Sequence, residues 1–251
     1  MQTQVTTPKI RVINPNTSAS MTDLIERCAR GVVAAGTSVD AVNPSMGPAS
    51  IESHYDEALA VPGLLEEIRR GDADGVQGYV IACFGDPGLD AARELARGPV
   101  IGIAEAAMHT ASFLGRRFSV VTTLDRTIGR AEDLAAHYGM ARFCGGYHAC
   151  DIPVLELESD PAAQQRITDA CAAALESDGS EVIVLGCAGM ADLCEAISKQ
   201  LGVPVIDGVA AATVLVEGLV RLGLRTSDRG EFAHPLPKSY SGALKSFTIE
   251  P

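Results

Sequence analysis

Positive charge is scarce in this 251-residue chain: 20 Lys and Arg stand against 32 Asp and Glu, a formal net charge of −12 at pH 7. Such a surface repels a phosphate backbone and an anionic bilayer alike, which argues against nucleic acid or membrane as partners and leaves a small molecule as the expected ligand. Long apolar runs are missing too. No stretch approaches the ~18 residues of a membrane span, and residues 1–9 are polar, so neither anchor nor signal peptide is visible and a cytoplasmic protein is expected. Lysine occurs only four times, never in a setting suited to a Schiff base, and there is no glycine-rich nucleotide fingerprint. No cofactor is expected, and the chemistry must come from side chains and backbone dipoles.

Apolar residues are plentiful at 47%, enough for a sizeable core in one large domain or two lobes. The seven cysteines (Cys28, Cys83, Cys144, Cys150, Cys171, Cys187 and Cys194) are odd in number and scattered through a chain large enough to fold without disulfides, so free thiols are expected. Any one of them reads first as packing, because free Cys behaves as a small hydrophobe.

Short β-branched runs bounded by Gly, Pro or Asn alternate with longer stretches rich in Ala, Leu, Glu and Arg, the pattern of an α/β fold around mostly parallel strands. Strands are predicted at 10–14, 38–42, 78–83 and 99–103, with helices near 20–35, 56–70, 90–96 and 105–114. The order then repeats. Strands are predicted at 118–122, 142–147, 181–186 and 203–206, with helices near 125–138, 161–176, 190–201 and 209–222. Residues 78–85 (GYVIACFG) lie over 182–189 (VIVLGCAG), residues 98–107 over 203–211, and residues 10–15 over 118–123, all at offsets within a few residues of one another. A repeat of half the chain predicts two pseudo-symmetric Rossmann-like lobes, each a mostly parallel sheet flanked by helices, with the active site in the cleft between them. The expected lobes are 8–114 and 115–207, with 208–251 packing back on the first; the tail from Arg225 is expected as loops or a short helix.

The repeat lays Cys83 on Cys187. Both follow an apolar strand and precede small or turn-forming residues, at the carboxyl end where parallel sheets bind ligands. Orphan amides and a helix dipole at such a point are expected to lower a thiol pKa from about 8.5 toward neutrality. Packing does not require the same oxidisable residue at both strand ends, whereas a racemase requires two groups of similar pKa that take a proton from one face of a stereocentre and return one to the other. The carbanion then needs donors. Candidates are the amides of Phe84, Gly85, Ala188 and Gly189, the amides and hydroxyls of Thr122 and Thr123, and Asn14, which precedes the Pro15-Asn16-Thr17 turn; that turn is also a helix cap. Glu105 and Asp207 stand at strand exits and read as caps or hinges. Residues 144–150 (CGGYHAC) contain zinc-ligand types at a spacing that is not a metal pattern, so no metal site is assigned. The remaining histidines stand alone.

At these residues the chain resembles the aspartate/glutamate racemase superfamily, and within it the hydantoin and allantoin racemase group. The likeness runs from Ile10 to about Gly242 and is carried by residues 12–18 (VINPNTS), 82–89 (ACFGDPGL), 100–107 (VIGIAEAA), 120–124 (VVTTL), 185–190 (LGCAGM) and 205–209 (VIDGV). It implies two facing α/β lobes, a cysteine pair as acid and base, no cofactor and a homo-oligomer. Asn14 replaces the acidic residue usual in the amino-acid racemases, which agrees with a neutral hydantoin ring. Residues 50–58 (SIESHYDEA) and 106–110 (AAMHT) look most like allantoin racemases, with Ile51 a candidate for the pocket wall. The absence of Trp and the 4% aromatic content agree with a polar ring substituent without deciding it. Two other readings stand beside this one: a cysteine-dependent isomerase or decarboxylase of the same superfamily, and a non-catalytic small-molecule sensor.

Overall fold

A computed structural model describes residues 7–250. The first half runs β1 (Lys9–Ile13), α1 (Ala19–Val32), β2 (Ser38–Val42), α2 (His54–Ala73), β3 (Gly78–Ile81), α3 (Leu89–Leu95), β4 (Val100–Gly102) and α4 (Ile103–Leu114). The second runs β5 (Phe118–Thr122), α5 (Ile128–His137), β6 (Cys144–Ala149), α6 (Ala163–Asp178), β7 (Val182–Gly186), α7 (Cys194–Leu201), β8 (Val205–Ile206) and α8 (Gly208–Arg221). The strands form two all-parallel sheets of identical topology, β2-β1-β3-β4 and β6-β5-β7-β8. The expected doubling of an α/β unit is therefore present element for element.

Strands β3, β5 and β7 are buried along their whole length, which is why they read as uninterrupted apolar runs instead of alternating ones. Both sheets share one core. Ala104, Ala107, Met108 and Ala111 of α4 belong to the same apolar cluster as Val80 and Ile101 of the first sheet and Phe118, Val120, Val182 and Val184 of the second. Small residues along α4 let it come close to β7 while it also packs on α8. Helix α8 lies against α1, α4 and β3. The tail beyond it forms two 3-10 turns and an isolated bridge between Lys238 and Ile249, and it touches the first half through Arg93 over the Phe232 ring and Thr226 bonded to Gly98.

The differences from expectation are local. Residues 188–193 are 3-10, so the α-helix after β7 starts only at Cys194. The α5 helix starts at Ile128 after a 3-10 turn at Asp125–Thr127, and β6 begins two residues later than expected, beside a register shift at Phe118/Ser119. Helix α2 is longer at both ends because Ser53 caps it by accepting from the Asp56 amide and because Pro62 is tolerated inside it. Among the described residues no helix is long and apolar enough to cross a membrane.

Phe118 is fully buried at the start of β5 in the shared core. Phe118→Ala is expected to lower stability by about 3–5 kcal/mol, because the lost transfer energy is compounded by the cavity left in a core that both sheets share. Urea denaturation of the two proteins checks it.

Candidate functional site

In each sheet the chain leaves the first central strand for one edge and returns to the other, so the carboxyl ends of the two central strands flank a topological switch point, the natural crevice of an open parallel sheet. The crevices of the two sheets open into one cleft of about 100 Å3. Asn16 enters it after β1, Cys83 after β3, Thr122 and Thr123 after β5, and Cys187 after β7. The register explains the equivalence: Ile13 pairs with Ile81 and Thr122 with Gly186, so the loops after each pair leave their sheet at the same level.

The two cysteines sit in matching turns. The Cys83 carbonyl accepts from the Asp86 amide at 2.9 Å, and the Cys187 carbonyl accepts from the Met190 amide at 3.1 Å. In each turn the amide of a glycine in the same place, Gly85 or Gly189, faces the sulfur and favours its anionic form. A Cβ on Gly85 would meet the Glu57 carboxylate, which would have to shift away.

Both thiols are pushed up, contrary to the expected fall toward neutrality. Burial is the largest cause for each. It lifts Cys83 far above the ordinary thiol range, with the Gly85 amide opposing and the nearby charges of Cys187, Glu57 and Asp86 adding to the rise. It lifts Cys187 to about 12, with the Gly189 amide opposing and the charges of Cys150 and Glu52 adding. The helices that were expected to help are displaced. The helix α3 is only seven residues long and begins at Leu89, and α7 begins at Cys194 behind the 3-10 segment. One amide per sulfur does not replace the hydration that a thiolate loses.

Ile51, Phe84, Gly85, Thr122, Thr123 and Ala188 line the cleft, as the sequence suggests. Gly189 stands behind the lining with its amide on the Cys187 sulfur. Asn14 does not reach the cleft. It is fully buried, and its Nδ2 donates to Asn16 Oδ1 at 2.8 Å, Thr22 Oγ1 at 3.1 Å and the Ser18 carbonyl at 3.2 Å. Those bonds leave it no donor for a ligand and make it the orienter of Asn16, whose own Nδ2 has only the weak thioether acceptor of Met21 at 3.4 Å.

Sequence reasoning missed Asn16 and the charged rim. Glu52 Oε1 accepts from the Val154 amide at 2.7 Å, so the segment before α2 spans from the first half to the second. Arg130 donates to the Gly85 carbonyl at 2.6 Å, and its Nε lies 3.2 Å from Glu57 Oε1, off the line of its N–H, an electrostatic contact without a hydrogen bond. Burial holds the Glu57 carboxyl above its ordinary range although Arg130 and His54 oppose it. Arg126 also lines the cleft. The spacing of Arg126 and Arg130, four residues apart across the 3-10 turn at Asp125–Thr127 and the first turn of α5, is the signal that could have found them.

The 144–150 segment is committed elsewhere. His148 Nε2 lies 3.0 Å from Asp178 Oδ2, Cys144 donates to the Gly146 carbonyl and Cys150 to that of Thr123. Among the described residues no group of three or more His, Cys, Asp or Glu is placed to hold a metal. Asp207 is the cap of α8, accepting from the Val209 amide at 2.8 Å. Glu105 is not a cap; it lies in the first turn of α4 and accepts from Arg93 at 2.6 Å.

Comparison with known proteins agrees with this geometry. The pattern of the Asp/Glu/hydantoin racemase family matches residues 10–216. The solved structure of an allantoin racemase from Klebsiella pneumoniae is 54% identical, with a TM-score of 0.94 over 96% of this chain and 99% of that one. A hydantoin racemase of Rhizobium meliloti is 51% identical over 93% of this chain and 97% of its own length. One of Pseudomonas sp. (strain NS671) is 48% identical over 95% of this chain and 96% of its own.

Raised thiol pKa values mean that the protonated form prevails at neutral pH and the thiolate fraction grows about tenfold per pH unit. Alkylation of Cys83 and Cys187 by iodoacetamide, followed by peptide mass spectrometry on the ligand-free protein, is expected to keep rising up to about pH 10. A plateau near pH 7 at either thiol would show that the amides win after all.

Proposed function

The chain belongs to the Asp/Glu/hydantoin racemase family, and from that premise we propose that it racemises allantoin or a related 5-substituted hydantoin by two-base catalysis between Cys83 and Cys187. The observation that carries this reading is the meeting of both cysteines in one cleft, in turns of the same geometry. One sulfur, after giving its own proton to water, takes the proton from ring C5 as a thiolate. The electron pair left behind delocalises into the adjacent C4 carbonyl as an enolate. The other sulfur, as thiol, delivers a proton to the opposite face of C5, so the two cysteines exchange protonation states in each turnover. Gly85 and Gly189 serve the sulfurs, which leaves Asn16 Nδ2 and the Thr122–Thr123 loop as the donors for the ring oxygens.

Allantoin is favoured by the rim. Ile51, Met21 and Val154 supply an apolar wall, while Glu57, Arg126 and Arg130 supply acceptors and donors that match the N–H and C=O groups of a ureido substituent better than an alkyl or aryl one. The same reading takes 8–114 and 115–207 as the lobes, with 208–251 resting on the first, and describes a cytoplasmic homo-oligomer that needs no cofactor.

Circular dichroism decay of single enantiomers of allantoin, 5-benzylhydantoin and 5-isopropylhydantoin in deuterated water tests reaction and substrate together. Allantoin is expected to lose its signal with the highest kcat/KM and to gain deuterium at C5; a preference for 5-benzylhydantoin would overturn the ureido assignment. Cys83→Ser and Cys187→Ser are each expected to reduce racemisation by at least about 10³-fold, the scale on which a positioned acid or base acts. Full activity in either variant would sink the two-base assignment.

A further inference from the structure

The two cysteine turns, residues 83–86 (CFGD) and 187–190 (CAGM), share their glycine and differ in the residue on either side of it. The third residue after Cys83 is Asp86, whereas the third after Cys187 is the fully buried Met190. Asp86 is itself buried and holds a left-handed backbone, φ +43°. Its Oδ1 accepts from the Ala104 amide at 3.1 Å, and its Oδ2 accepts from the Glu105 amide at 2.9 Å and from the Tyr138 hydroxyl at 2.7 Å.

The repeat gives those bonds a meaning. Gly102 lies over Asp207, Ala104 over Val209 and Glu105 over Ala210. In the second half Asp207 caps α8 from its own N-cap position, its side chain accepting from the Val209 amide at 2.8 Å. In the first half the N-cap of α4 is Gly102, which has no side chain to offer, and a Cβ built there would collide with the Asp86 carboxylate. The cap of α4 has thus been moved from the helix onto the Cys83 turn. The same carboxylate binds Tyr138, just past α5 of the other half.

We propose that Asp86 is a positioning residue for Cys83, tying the turn that carries this sulfur to the first turn of α4 and, through Tyr138, to the facing lobe. Among the described residues the Cys187 turn has no carboxylate tether of this kind, so the two thiols of a pseudo-symmetric pair are held by different means. Burial raises the Asp86 carboxyl to about 6 against the pull of Tyr138 and the two amides, which agrees with a group placed for its geometry in a costly location.

The test must separate this role from helix capping. Asp86→Gly keeps the left-handed backbone without strain and removes the carboxylate, and Gly102→Asp then restores a local cap in the manner of Asp207. Asp86→Gly alone is expected to lower both Tm and kcat/KM. The double variant D86G/G102D is expected to regain Tm while kcat/KM stays about tenfold or more below the parent, since small misplacements of reacting groups are costly. The enantiomers are equal in energy, so kcat/KM must fall equally in both directions and turnover cannot tell the cysteines apart. The reactivity of each thiol can. In the double variant Cys83 is expected to be alkylated about tenfold faster, having lost its anchor and a neighbouring charge, while Cys187 stays within about twofold of the parent. Recovery of kcat/KM together with Tm, or an equal change at both thiols, overturns the proposal. Should the double variant fail to fold, Asp86→Asn decides by the same comparison: a change confined to Cys83 supports the tether, and no change or an equal change removes it. The catalytic part rests on the racemase reading; the alkylation part does not. An inactive parent whose Cys83 alone responds would overturn the function and leave the tether standing.

Discussion

In the proposed two-base reading, a sulfur that removes a proton from carbon must become an anion in a cleft whose burial raises both thiols. Ionising Cys187, lifted to about 12, is on the order of 4 kcal/mol harder than ionising an ordinary thiol. That cost stands with the opposing pull of the Gly189 amide already counted. Desolvation outweighs the glycine amides in the cleft, and both thiols are pushed up. A symmetric pair of thiols suits an enzyme that must work equally from either face, since neither is committed as the base before the substrate arrives.

Holding two such groups on opposite sides of one small space requires the two halves to keep their relative position, and the fold does this at several depths. In the core, α4 with its run of small residues lies between the sheets and shares one apolar cluster with both. At the cleft, polar contacts cross from half to half: Glu52 to the Val154 amide, Arg130 to the Gly85 carbonyl, and Tyr138 to Asp86. Two of the three end on the Cys83 turn. The geometry of that sulfur is thus linked to the facing lobe through bonds in which a carboxylate or guanidinium takes part, stronger than neutral ones and sensitive to small displacements.

The repeat, the order of elements and the two cysteines were all readable from the chain because each rests on local information. A strand buried on both faces must be apolar throughout, and the residue at its carboxyl end is found by counting; Cys83 and Cys187 emerge in that way. Cleft lining adjacent to those strand ends, Phe84, Gly85, Ala188, Thr122 and Thr123, follows from the same count. Asn14 shows where counting stops. Two asparagines stand two residues apart in the same turn, and which of them faces the ligand depends on Thr22 and Ser18, which occupy the donors of one and free the other.

By itself the sequence determined the α/β class, the doubling and the presence of a cysteine at both equivalent strand ends, because hydrophobic pattern and residue type are properties of the chain. Only the tertiary structure decided which way the pKa of those thiols moves, since it is set by how much water surrounds the sulfur and which charges lie close to it. It decided likewise that Glu52, Glu57 and Arg130 meet at the cleft and that the cap of α4 comes from Asp86. Those groups are brought together by the packing of one half on the other, and no spacing along the chain encodes a distance across a cleft.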